Sequence, residues 1–250
     1  MMQAYWTLTR RELAGFFFSL TGYIIIAATA FLTGSSFVLM LLNLRGEPTS
    51  APITELFYQT AFFWIILVPA VPVITMRLFA AEKFSGTFET LMTTPVSDVE
   101  VVAAKFTAAF VFYMVIWMPL LGCVLILRHF AGDASALDPG VLGSTFLGIF
   151  LLGCPFLACG CFASSLTRSQ MVAAMISLVF SLGLFFMSFL PDLLPMADWV
   201  SQAASLFRLR DQLHDFVRGV VDTRPVVLYL SLTFVFLFLT LRVVESRRWK

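Results

Sequence analysis

The sequence predicts an all-α integral membrane protein with six transmembrane helices, and three observations carry that prediction. Hydrophobic residues make up 60% of the 250 residues, charged residues only 12%, and the mean hydropathy is +0.92. Soluble domains are about half apolar and a quarter charged. Six apolar runs also approach the roughly 20 residues that cross a bilayer, namely 16–42, 57–76, 106–127, 141–163, 171–190 and 226–241. None of the six contains Asp, Glu, Lys, Arg or His.

An amphipathic helix is predicted before the first span, over residues 5–18. Its apolar side holds Tyr5, Trp6, Leu8, Leu13 and Phe16–Phe18, and its polar side holds Arg10, Arg11 and Glu12. A helix of this kind lies in the plane of the membrane interface. The apolar run that follows is too long for a cleaved signal sequence, so we interpret it as the first span.

The distribution of basic residues predicts the orientation. With both termini inside, ten of the 16 Lys and Arg residues fall in inside segments, including all three lysines. The positive-inside rule therefore predicts cytoplasmic termini. Residues 80–97, the polar stretch between the second and third spans, then face the cytoplasm.

The polar stretch 80–97 reads AAEKFSGTFETLMTTPVS and predicts a short helix. Ser85 is the predicted N-cap, and Pro95 ends the helix. Phe88, Leu91 and Met92 share one face, which would give the helix an apolar edge. Two turns are not stable alone, so the segment either docks on a partner or is a connector resting on lipid headgroups.

A capping box is predicted immediately after this short helix. Ser97 and Glu100 have the spacing at which each side chain bonds the other residue's backbone N–H. The third span therefore begins just after this pair.

The segment 191–224 predicts an amphipathic helix, or a broken pair, on the outer face before the sixth span. Apolar residues recur near helical spacing at Trp199, Ala203, Leu206, Leu213, Val217 and Val220. Charged and amide side chains lie between them. The sixth run is short, but Arg242 can extend it by reaching the interface with its charged end.

Several classes of function are excluded by what the sequence lacks. The four cysteines lie inside apolar runs, which indicates helix packing rather than disulfides or a metal site. No phosphate-binding GxxxxGK[ST] loop occurs, so the chain does not itself hydrolyse ATP. No ionisable residue lies at helix depth for intramembrane catalysis, and no basic stripe indicates nucleic acid.

The run EKFSGTFETLMTTPVS, residues 82–97, resembles the first cytoplasmic loop of ABC-2-type exporter permeases. In that family the loop carries the coupling helix, which docks on the ATP-hydrolysing subunit. The resemblance implies a coupling role for eight residues: Glu82, Gly86, Thr87, Phe88, Glu89, Leu91, Met92 and Pro95. It also implies a second, smaller contact at Thr167 and Arg168, although Arg168 is equally explained as a positive-inside anchor.

The resemblance covers the whole chain, which would form one ABC-2-type transmembrane domain over residues 1–250. Residues 215–250 resemble the end of the gliding-motility-associated and copper-processing-associated permeases. The N-terminal helix would either lie in the interface or touch the ATPase.

The implied function is a permease subunit of an ATP-driven exporter in the bacterial cytoplasmic membrane. Its partners would be two ATPase copies, which bind ATP and Mg²⁺, and a second permease copy or a paralogue. The chain itself would hold no cofactor. An ATP-coupled mechanotransmission or scaffold subunit without transport, and an ion-coupled secondary transporter, remain alternatives.

Overall fold

A computed structural model of the protein describes residues 2–44, 57–58, 60–92, 96–131, 139–189 and 208–246. These residues contain no strand and form eleven named helices. The helices are α1 (Met2–Phe17), α2 (Leu20–Leu44), α3 (Ala61–Thr75), α4 (Ala80–Ser85), α5 (Thr87–Met92), α6 (Asp98–Ile116), α7 (Met118–Ala131), α8 (Pro139–Leu166), α9 (Gln170–Met187), α10 (Leu209–Val217) and α11 (Thr223–Ser246).

Six stretches of these helices are long and apolar enough to cross a membrane. They are Leu20–Asn43, Ala61–Ser85, Asp98–Leu127, Pro139–Leu166, Gln170–Met187 and Thr223–Ser246. The predicted all-helical fold with six spans is confirmed. The sixth span is longer than its apolar run, as its flanking residues predicted.

The first span begins later than the sequence predicted, because Phe16 belongs to α1. The chain turns at Ser19, whose hydroxyl accepts a bond from the Gly22 N–H at 3.1 Å. Arg77 also donates to the Ser19 hydroxyl, at 3.0 Å, and to Thr21 Oγ1, at 2.6 Å. These polar contacts fix the start of α2.

The third span begins earlier than predicted, at Asp98. The predicted capping box immediately before it fixes this starting point. Glu100 N–H donates to Ser97 Oγ at 3.3 Å, and Ser97 N–H donates to Glu100 Oε2 at 3.0 Å. Lys105, which precedes the apolar run, therefore lies within α6. The helix is interrupted at Trp117, and α7 continues the span.

Helix α8 lies at the centre of the bundle and packs against α3, α6, α9, α10 and α11. Small residues allow the close approach, since a Cβ at Gly153 or Gly160 would overlap Tyr113 of α6 or Thr75 of α3. Cys159 and Cys161 of the same helix are buried. The predicted packing role of the cysteines is confirmed at these two positions.

Helix α10 is amphipathic, as was predicted for the segment 191–224, and it packs on the beginning of α8. Leu213 and Val217 are buried, but Val220 lies beyond the end of α10 and is 58% exposed. Gly219 has a φ of +87° just beyond the helix, and this turn carries Val220 away from the buried face. Trp199, Ala203 and Leu206 lie outside the described residues.

Helix α1 packs lengthwise against α6. Tyr5 Oη lies 2.8 Å from Thr107 Oγ1, and the rings of Phe16 and Phe112 stack with centroids 4.9 Å apart. Trp6, on α1, and Phe18, just beyond its end, are largely exposed, so neither belongs to the side that packs on α6. We call the end of the bundle where α1 meets α4 and the turn at 167–169 the α1 end.

Candidate functional site

The predicted coupling segment is attached to the α1 end of the bundle by one serine of α8. Ser164 Oγ accepts hydrogen bonds from the Phe79 and Ala80 N–H groups, at 3.1 and 3.2 Å, and donates to the Met76 carbonyl at 3.1 Å. Backbone N–H groups in the first turn of a helix have no partner within the helix. The hydroxyl of Ser164, on the central helix α8, therefore accepts hydrogen bonds from N–H groups at the beginning of α4 that would otherwise lack a partner.

A second attachment joins α4 to the end of α8. The Lys83 ammonium donates to the Ser165 carbonyl and lies 5.3 Å from the centroid of the Phe88 ring. A cation at the carboxyl end of a helix is favoured by the helix dipole, and the ring face adds a cation–π contact. These contacts link α4, α5 and the segment that leads to the second predicted contact.

Four charged side chains form a neutral cluster between α1, α4 and α6. Lys105 Nζ lies 3.0 Å from Glu12 Oε1 and 2.9 Å from Glu82 Oε2. Arg11 Nη2 lies 2.8 Å from Glu12 Oε1 and 2.7 Å from Glu82 Oε1. Lys105 is only 2% exposed, so both carboxylates are needed to offset the cost of burying its charge.

The cluster lowers the pKa of Glu12. Burial alone raises the pKa of this carboxyl, but the charges of Lys105 and Arg11 and their hydrogen bonds more than offset that effect. The carboxylate form is therefore favoured in the folded protein. Its stabilising contribution is present above the ordinary pKa of 4.5 and is lost as pH falls through the lowered value.

Gly86 separates the segment into two helices, which corrects the predicted role of Ser85. Gly86 has a φ of +74° and ends α4, so Ser85 is the last residue of α4 rather than the N-cap of a single short helix. Ser85 Oγ donates to the Glu82 carbonyl at 3.2 Å and lies 2.8 Å from Thr87 Oγ1. The left-handed conformation favours glycine because it lacks a Cβ.

The outward side of the segment differs from the predicted apolar edge. Phe88 is only 5% exposed and packs within the chain, whereas Phe84 is 80% exposed. Thr87 and Glu89 are exposed. The side chains of Leu91 and Met92, and Pro95 as a whole, lie outside the described residues.

The two predicted contact segments lie side by side. Phe84 lines a groove of about 300 Å³ together with Arg168 and Met171. Met171 is 77% exposed and Arg168 is exposed. Thr167 is half-buried, and its hydroxyl accepts from the Ser169 N–H at 3.1 Å. A single surface at the α1 end therefore presents an aromatic ring, a thioether and a cation.

Sequence reasoning did not find Arg11, Glu12, Phe84, Lys105 and Ser164 as parts of this site. Glu12 was predicted only to lie on the polar side of α1, and its carboxylate accepts a hydrogen bond from Lys105. The sequence carries only a weak indication of this cluster, namely that Lys105 directly precedes an apolar run. A lysine at such a position is buried only if carboxylates lie close enough to pair with it. Those partners come from helices distant in sequence.

The comparison with protein families matches residues 20–183 to the family described as "ABC-2 family transporter protein". This range contains four of the six spans in full, most of the fifth, and both predicted contact segments. The chain belongs to the ABC-2 family. It is the membrane, or permease, subunit of an ABC-2 transporter. The comparison with curated proteins found no significant match.

Membership of the ABC-2 family has two consequences for the chain. Subunits of this kind lack ATPase activity, and the family implies an ABC ATPase as partner. Within the part of the chain that the structure describes, no three His, Cys, Asp or Glu side chains are grouped so as to hold a metal ion.

Proposed function

We propose that the ATPase docks on this ABC-2 permease at the α1 end and that its conformational changes are transmitted through α4, α5 and the turn at 167–169. The buried ion cluster is the observation that carries the proposal. Lys105 joins Glu82 of α4 to Glu12 of α1 and itself belongs to α6, a transmembrane helix. A displacement of α4 is therefore transmitted to α1 and α6, because separating these buried ion pairs costs free energy.

The contact with the ATPase is made by the exposed side chains of this surface. Phe84 and Met171 offer apolar area to a groove or ridge on the partner, and aromatic residues of this kind often dominate interfaces. Glu89 and Arg168 add one charge of each sign. Thr87, Leu91, Met92 and Pro95 keep the coupling role that the family resemblance implies.

The permease acts as half of a transmembrane assembly. Six spans pair with a second copy or a paralogue, and two ATPase subunits bind on the cytoplasmic side, where both termini lie. ATP and Mg²⁺ bind to the ATPase subunits. The complex works as an exporter in a bacterial cytoplasmic membrane. Residues 215–250, which suggested the subfamily, lie beyond the matched range.

Co-purification with the ATPase tests the proposed surface. The membrane-extracted permease is co-expressed with its ATPase, intact and as Phe84→Asp or Glu89→Arg. Because both positions are exposed, each variant should fold normally and retain less than about a tenth of the ATPase, a loss of roughly 1.4 kcal/mol or more. Amounts of both proteins are measured by quantitative mass spectrometry.

Matched controls lie at the opposite end of the bundle. Val220→Asp and Asp222→Arg repeat the two changes at exposed residues outside α4 and α5, and both should keep the ATPase. If the Phe84 and Glu89 variants bind the ATPase as well as the intact chain does, the segment is a connector. Transport that persists without the ATPase would favour ion coupling instead.

A further inference from the structure

The chain turns between α3 and α4, over residues 76–79, and most of this turn is buried. Leu78, Phe79 and the first residue of α4, Ala80, are all inaccessible to solvent or nearly so. Buried backbone N–H and C=O groups need hydrogen-bond partners within the protein, because water does not reach them. The conformation of the turn therefore depends on a polar group supplied by another helix.

A single hydroxyl, that of Ser164 on α8, bonds to both ends of this turn. It donates to the Met76 carbonyl and accepts from the Phe79 and Ala80 N–H groups, at 3.1–3.2 Å. A serine hydroxyl has one hydrogen to donate and two lone pairs that accept, so these bonds use its full capacity. Ser164 is itself fully buried. Movement of α4 away from α8 would leave buried backbone groups without partners, which costs free energy.

The same end of α8 leads directly into the second predicted contact segment. Ser164 lies in the last turn of α8, which ends at Leu166, and the turn at 167–169 follows. The Lys83 ammonium donates to the carbonyl of the next residue, Ser165. Helix α4 is therefore bonded at its beginning and near its end to the part of α8 that carries the turn at 167–169.

The joint between α4 and α5 is less restrained than the turn at 76–79. Ser85, Gly86 and Thr87 are exposed, and a Cβ at Gly86 would meet no atom within 4 Å. The hydroxyls of Ser85 and Thr87 bond to the Glu82 carbonyl and lie 2.8 Å from each other, so these contacts are local. The chain can therefore bend at Gly86 more readily than between α3 and α4.

We propose that Ser164 is a positioning residue for coupling: it holds α4 against α8, so that α4 and the turn at 167–169 move as one body when the ATPase changes conformation. This inference rests on the proposed docking of the ATPase at the α1 end. The ion cluster transmits a displacement of α4 to α1 and α6. The bonds of Ser164 transmit it to the central helix α8, and through the turn at 167–169 to α9.

Hydrogen exchange tests the attachment in the full-length permease without the ATPase. Ser164→Ala removes the acceptor of the Phe79 and Ala80 N–H groups, so a peptide covering residues 76–84 should exchange about ten-fold faster. Ser165→Ala is the matched control. Ser165 is equally buried, but its hydroxyl donates to the Phe162 carbonyl of its own helix, at 2.7 Å, and exchange should stay unchanged. Equal rates in the two variants would overturn the attachment.

The complex with the ATPase tests whether the attachment matters for coupling. Ser164→Ala should still co-purify with the ATPase, because the exposed contact residues Phe84 and Glu89 are unchanged. Its ATP hydrolysis should no longer depend on the permease and should match that of the ATPase alone, whereas Ser165→Ala should behave like the intact chain. Unchanged hydrolysis in Ser164→Ala would overturn the proposal. Failure of the intact chain to bind the ATPase would contradict the proposed docking instead, and the exchange experiment would still report on the attachment.

A disulfide in place of the hydrogen bonds separates positioning from the chemistry of the hydroxyl. Ser164 Oγ lies 3.2 Å from the Ala80 nitrogen, so Ser164→Cys with Ala80→Cys should crosslink on oxidation in a chain whose four native cysteines are replaced by alanine. The oxidised pair should keep the permease-dependent hydrolysis, and reduction should lower it to the level of Ser164→Ala. Hydrolysis that is lost on oxidation and regained on reduction would overturn the proposal, because α4 would then have to move relative to α8. Absence of a crosslink would also overturn it, because α4 would not stay against Ser164.

Discussion

At the scale of single residues, Lys105 is the clearest example of a charge whose role depends on its neighbours. Its ammonium is buried between Glu12 and Glu82 and lies 5.4 Å from the centroid of the Phe79 ring. A lysine in this position is tolerated because two carboxylates and a ring face replace water.

Substitution of Lys105 by methionine tests how much the cluster stabilises the protein. Lys105→Met leaves two carboxylates with only Arg11, so we expect a loss on the order of 3 kcal/mol, as for a broken buried ion pair. Arg11→Met removes the same charge from a side chain that is 53% exposed, and should cost about 1 kcal/mol or less. Denaturation in detergent measures both.

The pH dependence provides the control for this prediction. Glu12 has a lowered pKa in the folded protein, so its contribution is present above about 4.5 and disappears as pH falls further. The difference between the intact chain and Lys105→Met should therefore shrink on acidification. A difference that stays constant down to pH 3 would show that packing, rather than charge, explains the effect.

At the scale of elements, Gly86 sets the relation between α4 and α5. Its φ is +74°, and a Cβ there would meet no atom within 4 Å, so only the backbone conformation opposes a larger residue. We expect Gly86→Val to disturb the two helices by about 1–2 kcal/mol and to reduce ATPase co-purification. Gly86→Asn should retain the ATPase, because asparagine enters this conformation more readily.

The outcome of that pair of variants is informative in both directions. Equal loss for valine and asparagine would mean that the partner approaches Gly86 too closely for any side chain. No loss for either would mean that the angle between α4 and α5 is unimportant for docking.

The break between α4 and α5 at Gly86 shows which elements the sequence predicted and which it did not. The capping box at Ser97 and Glu100 was predicted, because it depends on residues three apart. The predicted short helix is present as α5, but its start at Ser85 was wrong and α4 was not predicted, because two helical turns and one glycine allow several arrangements. Contacts of Ser164 and Lys83 with distant segments decide between them.

At the scale of the whole molecule, the bundle leaves broad apolar faces uncovered. Only 33% of the spanning window of α2 is buried within the chain, and only 17% of that of α9 and of α11. Lipid or a second permease can cover such faces. The proposed assembly of two permeases and two ATPases uses part of this surface.

The mass of the intact complex tests that assembly. We expect native mass spectrometry of the co-purified complex to give two permease chains and two ATPase subunits. Phe84→Asp should remove the ATPases and leave the permease pair, because Phe84 lies at the α1 end and meets only the beginning of α9. A complex with one chain of each kind would contradict the proposed pairing.

The sequence by itself determined that this chain crosses a membrane in six helices, because burial in lipid requires long apolar runs and backbone bonds within each helix. It also indicated the family through one polar stretch. Only the tertiary structure decided that Phe84 faces outward, that Phe88 faces inward, and that Glu12, Glu82 and Lys105 meet. Those outcomes depend on contacts between helices far apart in sequence, which local patterns do not specify.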